Sequence, residues 1–231
     1  MASKSFPQSL TLIVAATSNM GIGRAGTLPW LSIKSEMAYF ARTTKRVSLP
    51  FEASSPRTIN AVIMGRKTYE SIPPKFRPLK ARLNIVVTRQ SPAEALGSER
   101  AANDAQQVEE GPLVVPSLDS ALQALSERQS SPNSPKISRI FVIGGAQIYA
   151  EALQHPSVKR IMLTRINKEY ECDTLFPLVL PEGAHEGVMS KGWIKRGDDE
   201  RNHWLGEEKV GDGEEGWEVE MWEWSENDSE D

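Results

Sequence analysis

Apolar residues gather along the chain in short runs at 10–16, 59–64, 83–87, 113–115, 140–143 and 158–166, several of them nearly continuous rather than alternating. A strand wetted on one face alternates, whereas a strand covered on both faces is apolar at successive positions, as in the parallel sheets of α/β proteins. Between these runs the spacing becomes helical. Ser117 is placed to cap a stretch with Leu118, Ala121, Leu122 and Leu125 on one face, residues 146–153 repeat the pattern, and residues 33–44 align Ile33, Met37 and Phe40. The pattern predicts a mixed, mostly parallel sheet flanked by helices. Three stretches, 46–57, 91–112 and 129–136, break the rhythm with Ser, Pro, Ala or charge and read as surface insertions. No internal repeat and no Pro/Gly linker divides the chain, so one domain is expected over residues 8–225.

After Gly183 the composition shifts to Gly, Glu and Trp. The segments 193–195 and 217–224 are β-prone, and the Gly- and Asp-rich stretch between them suits the connection of a long C-terminal antiparallel hairpin. Residues 226–231 read as an acidic tail. The net charge of −4 conceals an asymmetry, because residues 198–231 hold 15 acidic side chains against Arg201 and Lys209. The body before them is therefore basic, and its partner is expected to be anionic. Its charges are scattered, with no basic run and no aromatic-basic stripe, which argues against nucleic acid. No stretch approaches the ~20 apolar residues of a membrane helix. Lys4 with the run 10–16 resembles a short leader, but those apolar residues are needed for a core strand. The one cysteine, Cys172, has no partner for an internal disulfide or a paired-thiol metal site, which favours a reducing, cytoplasmic setting.

Ligands of open α/β sheets bind beyond the carboxyl ends of strands, and four such ends look chemical. Gly65, Arg66, Lys67 and Thr68 follow the run 59–64; a glycine turn, two cations and a hydroxyl at a helix start suit an anion, and equally suit a capped surface helix. Thr88 and Arg89 follow 83–87, and Gly144 and Gly145 follow 140–143, where two bare glycines let a backbone pass close to a ligand or simply turn tightly. Beyond 10–16, Gly21, Gly23 and Gly26 match G-x-G-x-x-G, but four residues separate them from the strand and Leu28, Pro29 and Trp30 follow them. Pro29 holds Leu28 extended, so these glycines form a loop over a pocket rather than the phosphate turn of a dinucleotide fold. In the helix 33–44, Glu36 falls about 60° from Ile33, at the border of the apolar stripe. A carboxylate there faces water along the helix edge or stands in a pocket where something binds it.

The spacing of Gly23, Leu28-Pro29-Trp30, Glu36, Phe40 and Thr44 resembles the signature of the dihydrofolate reductase family. The resemblance continues in Val62-Ile63-Met64-Gly65-Arg66-Lys67-Thr68, in Arg77-Pro78-Leu79-Lys80-Ala81-Arg82, in Phe141-Val142-Ile143-Gly144-Gly145 and in Leu163-Thr164-Arg165, and it is nearest to fungal members. It implies an eight-stranded, mostly parallel sheet and a monomeric enzyme that moves hydride from NADPH to 7,8-dihydrofolate, binds antifolates and needs no metal. Glu36 would bind the pterin edge and assist protonation at N5, Thr164 would bond the same carboxylate, and Trp30 would hold a water beside it. Ile13, Val14, Met37, Phe40, Ile72, Leu79 and Ile143 would line the substrate site, and Arg82 would fork onto the substrate's glutamate. On the cofactor side the resemblance implies Ala15, Ile22 and Gly23, then Gly65, Arg66, Lys67 and Thr68, and Thr88 and Arg89 near the 2′-phosphate. Gly144 and Gly145, joined by a cis peptide, would lie under the cofactor with Ala146, Gln147 and Ile148. Met37 stands where vertebrate members carry Phe, Phe76 replaces a polar residue beside the substrate tail, and Thr27 replaces an acidic one. The first two imply altered antifolate preference and the third altered loop closure.

Two other readings compete. A reductase of the same fold acting on a riboflavin-pathway aminopyrimidine would bind NADPH alike, but a ribose phosphate needs neither Glu36 nor Arg82. A non-enzymatic protein using the acidic C-terminus as its interface would need none of these residues.

Overall fold

The computed structural model describes residues 9–30, 33–47, 57–96, 109–132, 134–211 and 216–225. The acidic tail 226–231 lies outside them, as do 48–56 and 97–108 of two of the expected insertions. The apolar runs become strands β1 (Leu10–Thr17), β3 (Thr58–Gly65), β4 (Arg82–Val87), β5 (Leu113–Val115), β6 (Lys136–Val142) and β7 (Val158–Ile166). Short strands β2 (Gly21–Gly23), β8 (Thr174–Leu175), β9 (Met189–Ser190) and β10 (Trp193–Lys195) and the long β11 (Trp217–Trp224) complete the set. One sheet runs β5-β4-β3-β6-β1-β7-β11-β10-β9, and β2 pairs with β8 apart from it. The six strands from β5 to β7 are mutually parallel. β11, β10 and β9 follow antiparallel, so the expected hairpin is present. Among the described residues the main sheet holds nine strands rather than eight, the addition being the two-residue edge strand β9, too short to register as an apolar run.

Helices α1 (Lys34–Lys45), α2 (Arg66–Ser71), α3 (Pro92–Leu96), α4 (Leu118–Ser130), α5 (Ala146–Leu153) and α6 (Asp198–Leu205) cover the two faces. Alternation along each strand divides the core. Leu12, Val14 and Ala16 of β1 pack with Leu118, Ala121 and Leu125 of α4 and Ile148, Tyr149 and Ala152 of α5. Ile13 faces the other way, with Val62, Met64, Phe141 and Met162 against Tyr39 of α1, Tyr69 of α2 and Leu205 of α6. Each such aliphatic side chain, fully buried, contributes ~1.5–3 kcal/mol. Ser117 caps α4 as expected, its hydroxyl accepting from Ser120 N at 3.1 Å.

Within the stretch 129–136, α4 runs to Ser130 and β6 begins at Lys136, whose Nζ donates to Gln129 O and Ser131 O. One expectation changes. The Gly- and Asp-rich link between β10 and β11 contains α6, which has three acidic residues in its first turn and a left-handed Gly206 at its C-cap. Both features match the helix dipole and the glycine C-cap, and they form a helix with little apolar surface.

Candidate active site

The carboxyl ends of β1 and β7 form one wall. Their register sets Ala15 beside Thr164, and alternation places Thr164 with Met162 and Ile166 on the face that Ile13 shares. Ile13 and Trp30 belong to this core, with Ala15, Leu28, Ile33, Phe40, Ile72, Leu79 and Ile143 packed against it, so most of the expected substrate residues come together. Val14 does not. Its side chain lies in the opposite core, so only its backbone can face the site.

The helix α1 closes this wall differently from expectation. Its buried residues are Glu36, Tyr39, Thr43 and Thr44, whereas Met37 is 36% exposed and Ile33 and Phe40 are half-buried. Tyr39 and Thr43, three and seven positions after Glu36, press onto the sheet and take the carboxylate inward with them. The apolar stripe is left to border open space. Glu36 is 5% exposed and makes no hydrogen bond with the described residues, and burial pushes its carboxyl from an ordinary 4.5 up to about 7. The expected bond from Thr164 is not formed: both side chains are buried, and neither hydrogen-bonds the other. Trp30 is fully buried, its Nε1 unpartnered among the described residues and its ring edge-on to Tyr170 at 5.8 Å. An unmet indole N–H is costly away from water, so this position suits an ordered water or a ligand acceptor.

Arg82 lies at the start of β4, almost wholly buried. Its Nε donates to Lys80 O at 3.1 Å and its Nη1 to Thr44 Oγ1 at 2.6 Å, while Thr44 donates to Phe40 O. Two elements thus fix the guanidinium, and it makes no ion pair with the described residues. Burial lowers its pKa to about 10, with Glu110 opposing. It stays cationic at neutral pH, and an incoming carboxylate would restore what it has lost in water.

The glycine turns meet at the ends of β3 and β6. Gly65 N donates to Gly144 O at 2.7 Å, and the Gly144–Gly145 peptide is cis, as expected. A Cβ on Gly65 would stand 3.2 Å from Ile148 Cγ1, and one on Gly145 3.3 Å from Thr68 Oγ1. Gly65 begins α2 and Gly145 begins α5, neither with a side-chain cap, so two sets of unmet N–H groups lie side by side. That cradle suits the linked phosphates of a dinucleotide. Around it Ala146 is half-buried, Gln147 and Lys67 are exposed, and Arg66 is paired with Glu70 at 2.6 Å, so its charge is already shared. Beyond β4, Thr88 N donates to Val115 O, and the exposed Arg89 has no ion pair among the described residues. Ile22 and the half-buried Gly23 sit in β2, which pairs with β8. The G-x-G-x-x-G stretch is therefore a small ribbon and opens no helix.

Sequence reasoning missed Tyr170, Asn84 and Glu110. Asn84 alone left a trace, as a polar residue inside the apolar run 83–87. A cavity of about 340 Å³ bordered by Ser35, Ala38, Arg42 and Trp217 lies on the side of α1 turned away from Glu36 and shares none of these groups. Among the described residues no His, Cys, Asp or Glu group could hold a metal, and no helix is long and apolar enough to cross a membrane.

The family model described as dihydrofolate reductase matches residues 9–190. A dihydrofolate reductase of Pneumocystis carinii is 41% identical over 219 residues, 93% of this chain and 96% of its own. One from Schizosaccharomyces pombe is 37% identical over 87% of this chain, which spans only 41% of that longer protein. Among solved structures, Schistosoma mansoni dihydrofolate reductase superposes with a TM-score of 0.57 at 29% identity, covering 94% of this chain and 98% of that one.

Proposed function

The chain belongs to the dihydrofolate reductase family, and on that premise we propose that it reduces 7,8-dihydrofolate to 5,6,7,8-tetrahydrofolate with NADPH. The observation that carries this reading is that α1 buries a carboxylate, Glu36, near its start and meets a buried guanidinium, Arg82, through Thr44 near its end, neither group having an ion pair among the described residues. A pterin offers an amino group and a ring N–H to the first, and a glutamate tail offers a carboxylate to the second. Ile13, with Phe40, Ile72 and Leu79 packed against its cluster, offers apolar surface suited to the flat rings that join the two.

Bound NADPH supplies the hydride, and Gly65, Gly144 and Gly145 with the starts of α2 and α5 suit its phosphates. Arg89 and Thr88 face the 2′-phosphate in this reading, and Arg66 and Lys67 the others. Glu36 orients the pterin and, near neutral pH, lies close to the midpoint of its own titration, where a carboxyl both takes and yields a proton. Trp30 Nε1 holds the water through which N5 gains its proton, and Thr164 bonds the pterin edge beside Glu36. Met37 and Phe76, 36% and 56% exposed, would tune antifolate preference in this reading. We place the enzyme in the cytoplasm as a monomer, in keeping with its one unpaired cysteine, Cys172.

The test is loss of the NADPH near-ultraviolet absorbance on adding dihydrofolate, and its abolition by methotrexate. Purified, folded protein that consumes no NADPH with dihydrofolate would overturn the reading.

A further inference from the structure

The turn that delivers Arg82 is held by a residue from a distant part of the chain. Residues 79–82 follow a short 3-10 turn at Pro74–Phe76, and Ala81 has φ +62, a left-handed backbone unfavourable for a residue with a Cβ. Fully buried Asn84 accepts from Leu79 N at 2.9 Å and directs its amide to Leu79 O and Arg82 O at 2.9 Å and to Glu110 O at 3.1 Å. Both the amide group and the carbonyl oxygen of its side chain are thus engaged. Glu110, 4% exposed, accepts from Ala81 N through Oε1 at 2.9 Å, so the strained residue is tied directly to it. The next residue, Gly111, has φ +85, and a Cβ there would meet Asn84 O at 2.5 Å, so this strand of chain lies directly against β4. Glu110 belongs to the stretch 91–112 that breaks the sequence rhythm.

We propose that Glu110, clamped with Asn84 against the 79–82 turn, is a positioning residue for the substrate's acidic tail, fixing the backbone that presents Arg82 while its negative charge limits how tightly that site holds a carboxylate. The inference rests on the reading of Arg82 as the tail-binding residue. Two roles in one side chain have opposite signs. Glu110 also acts electrostatically on the Arg82 guanidinium, which has no ion pair among the described residues. Glu110→Gln keeps an oxygen for Ala81 N and removes the charge, so a tail-bearing ligand should bind more tightly. Glu110→Ala removes the tether as well, so the same ligand should bind more weakly.

The experiment is titration of the full chain with methotrexate, which carries a glutamate, and trimethoprim, which does not, for the parent, Glu110→Gln, Glu110→Ala and Arg82→Leu. The readout is the methotrexate-to-trimethoprim affinity ratio. Glu110→Gln should raise it several-fold and Glu110→Ala should lower it about ten-fold, the scale of one lost charge-assisted contact. Arg82→Leu tests the underlying reading: if it leaves the ratio unchanged, Arg82 does not bind the tail and the inference falls with it. If Arg82→Leu collapses the ratio but both Glu110 variants weaken the two ligands equally, Glu110 is only a structural residue and the proposal is overturned on its own. Should Glu110→Ala not fold, Glu110→Gln decides: a ratio at or below the parent's refutes the electrostatic role.

Discussion

Glu36→Gln separates what the carboxylate does for catalysis from what its burial costs the fold. The folded carboxyl titrates at about 7 against an ordinary 4.5, because burial penalises its charged form. Between those values the folded state holds a proton that the unfolded state has released. Stability is therefore greatest below pH 4.5 and falls as pH rises through about 7. At about 1.36 kcal/mol per pKa unit the loss amounts to about 3 kcal/mol once Glu36 is fully ionised. Glutamine is neutral throughout, so the ligand-free variant should match the parent near pH 4 and exceed it by up to about 3 kcal/mol above neutrality. Urea unfolding of both proteins across this range measures the difference directly, because every other titrating group cancels. In the same variant, hydride transfer at neutral pH should drop by ~10²-fold or more, since the amide no longer favours a protonated pterin. Part of that loss should return in acid, where some dihydrofolate is protonated in solution. A stability difference independent of pH would show that the carboxylate is not desolvated. A glutamine variant as fast as the parent would show that Glu36 does not handle the proton.

The remaining predictions concern the other groups. NADPH should be preferred over NADH by ten-fold or more, with charge-assisted contacts worth ~1.5–3 kcal/mol each, and Arg89→Leu should raise the Michaelis constant for NADPH far more than that for NADH. Arg66→Leu should matter less, because Arg66 already shares its charge with Glu70, and equal effects from the two variants would contradict this. Gly144→Ala should cost ~1–3 kcal/mol of stability, since φ is +104 there and the new Cβ would stand 2.9 Å from the Tyr149 ring; an unchanged thermal midpoint would refute it. Truncation before Trp217 should prevent folding, because β11 joins β7 to β10, whereas removing residues 226–231 should leave activity and midpoint nearly unchanged.

The strands were legible because burial on both faces leaves continuous apolar runs, and no other soluble element does so at that length. The small elements were not. β9 has two residues, and α6 buries only Arg201 and Leu205, so neither carries a hydrophobic period to find. At the site the difficulty is of another kind. A pattern reading sends a polar residue in an apolar run toward water, so Asn84 draws no attention within 83–87, and helix geometry alone leaves Glu36 between the helix edge and a pocket. In the folded chain Glu36, Asn84, Thr164 and Arg165 are all buried. Asn84 spends its side chain on the 79–82 turn and Glu110 O, and Arg165 meets Glu220 at 3.3 Å and Leu180 O at 2.8 Å. Glu36 alone among these ionisable groups has no partner among the described residues. A polar residue that interrupts a buried pattern either locks a local backbone or awaits a ligand, and its hydrogen-bond inventory tells the two apart. By that criterion Asn84 and Arg165 are occupied, whereas Glu36 and Trp30 Nε1 have no hydrogen-bond partner among the described residues, which in the proposed reading the substrate and its water supply.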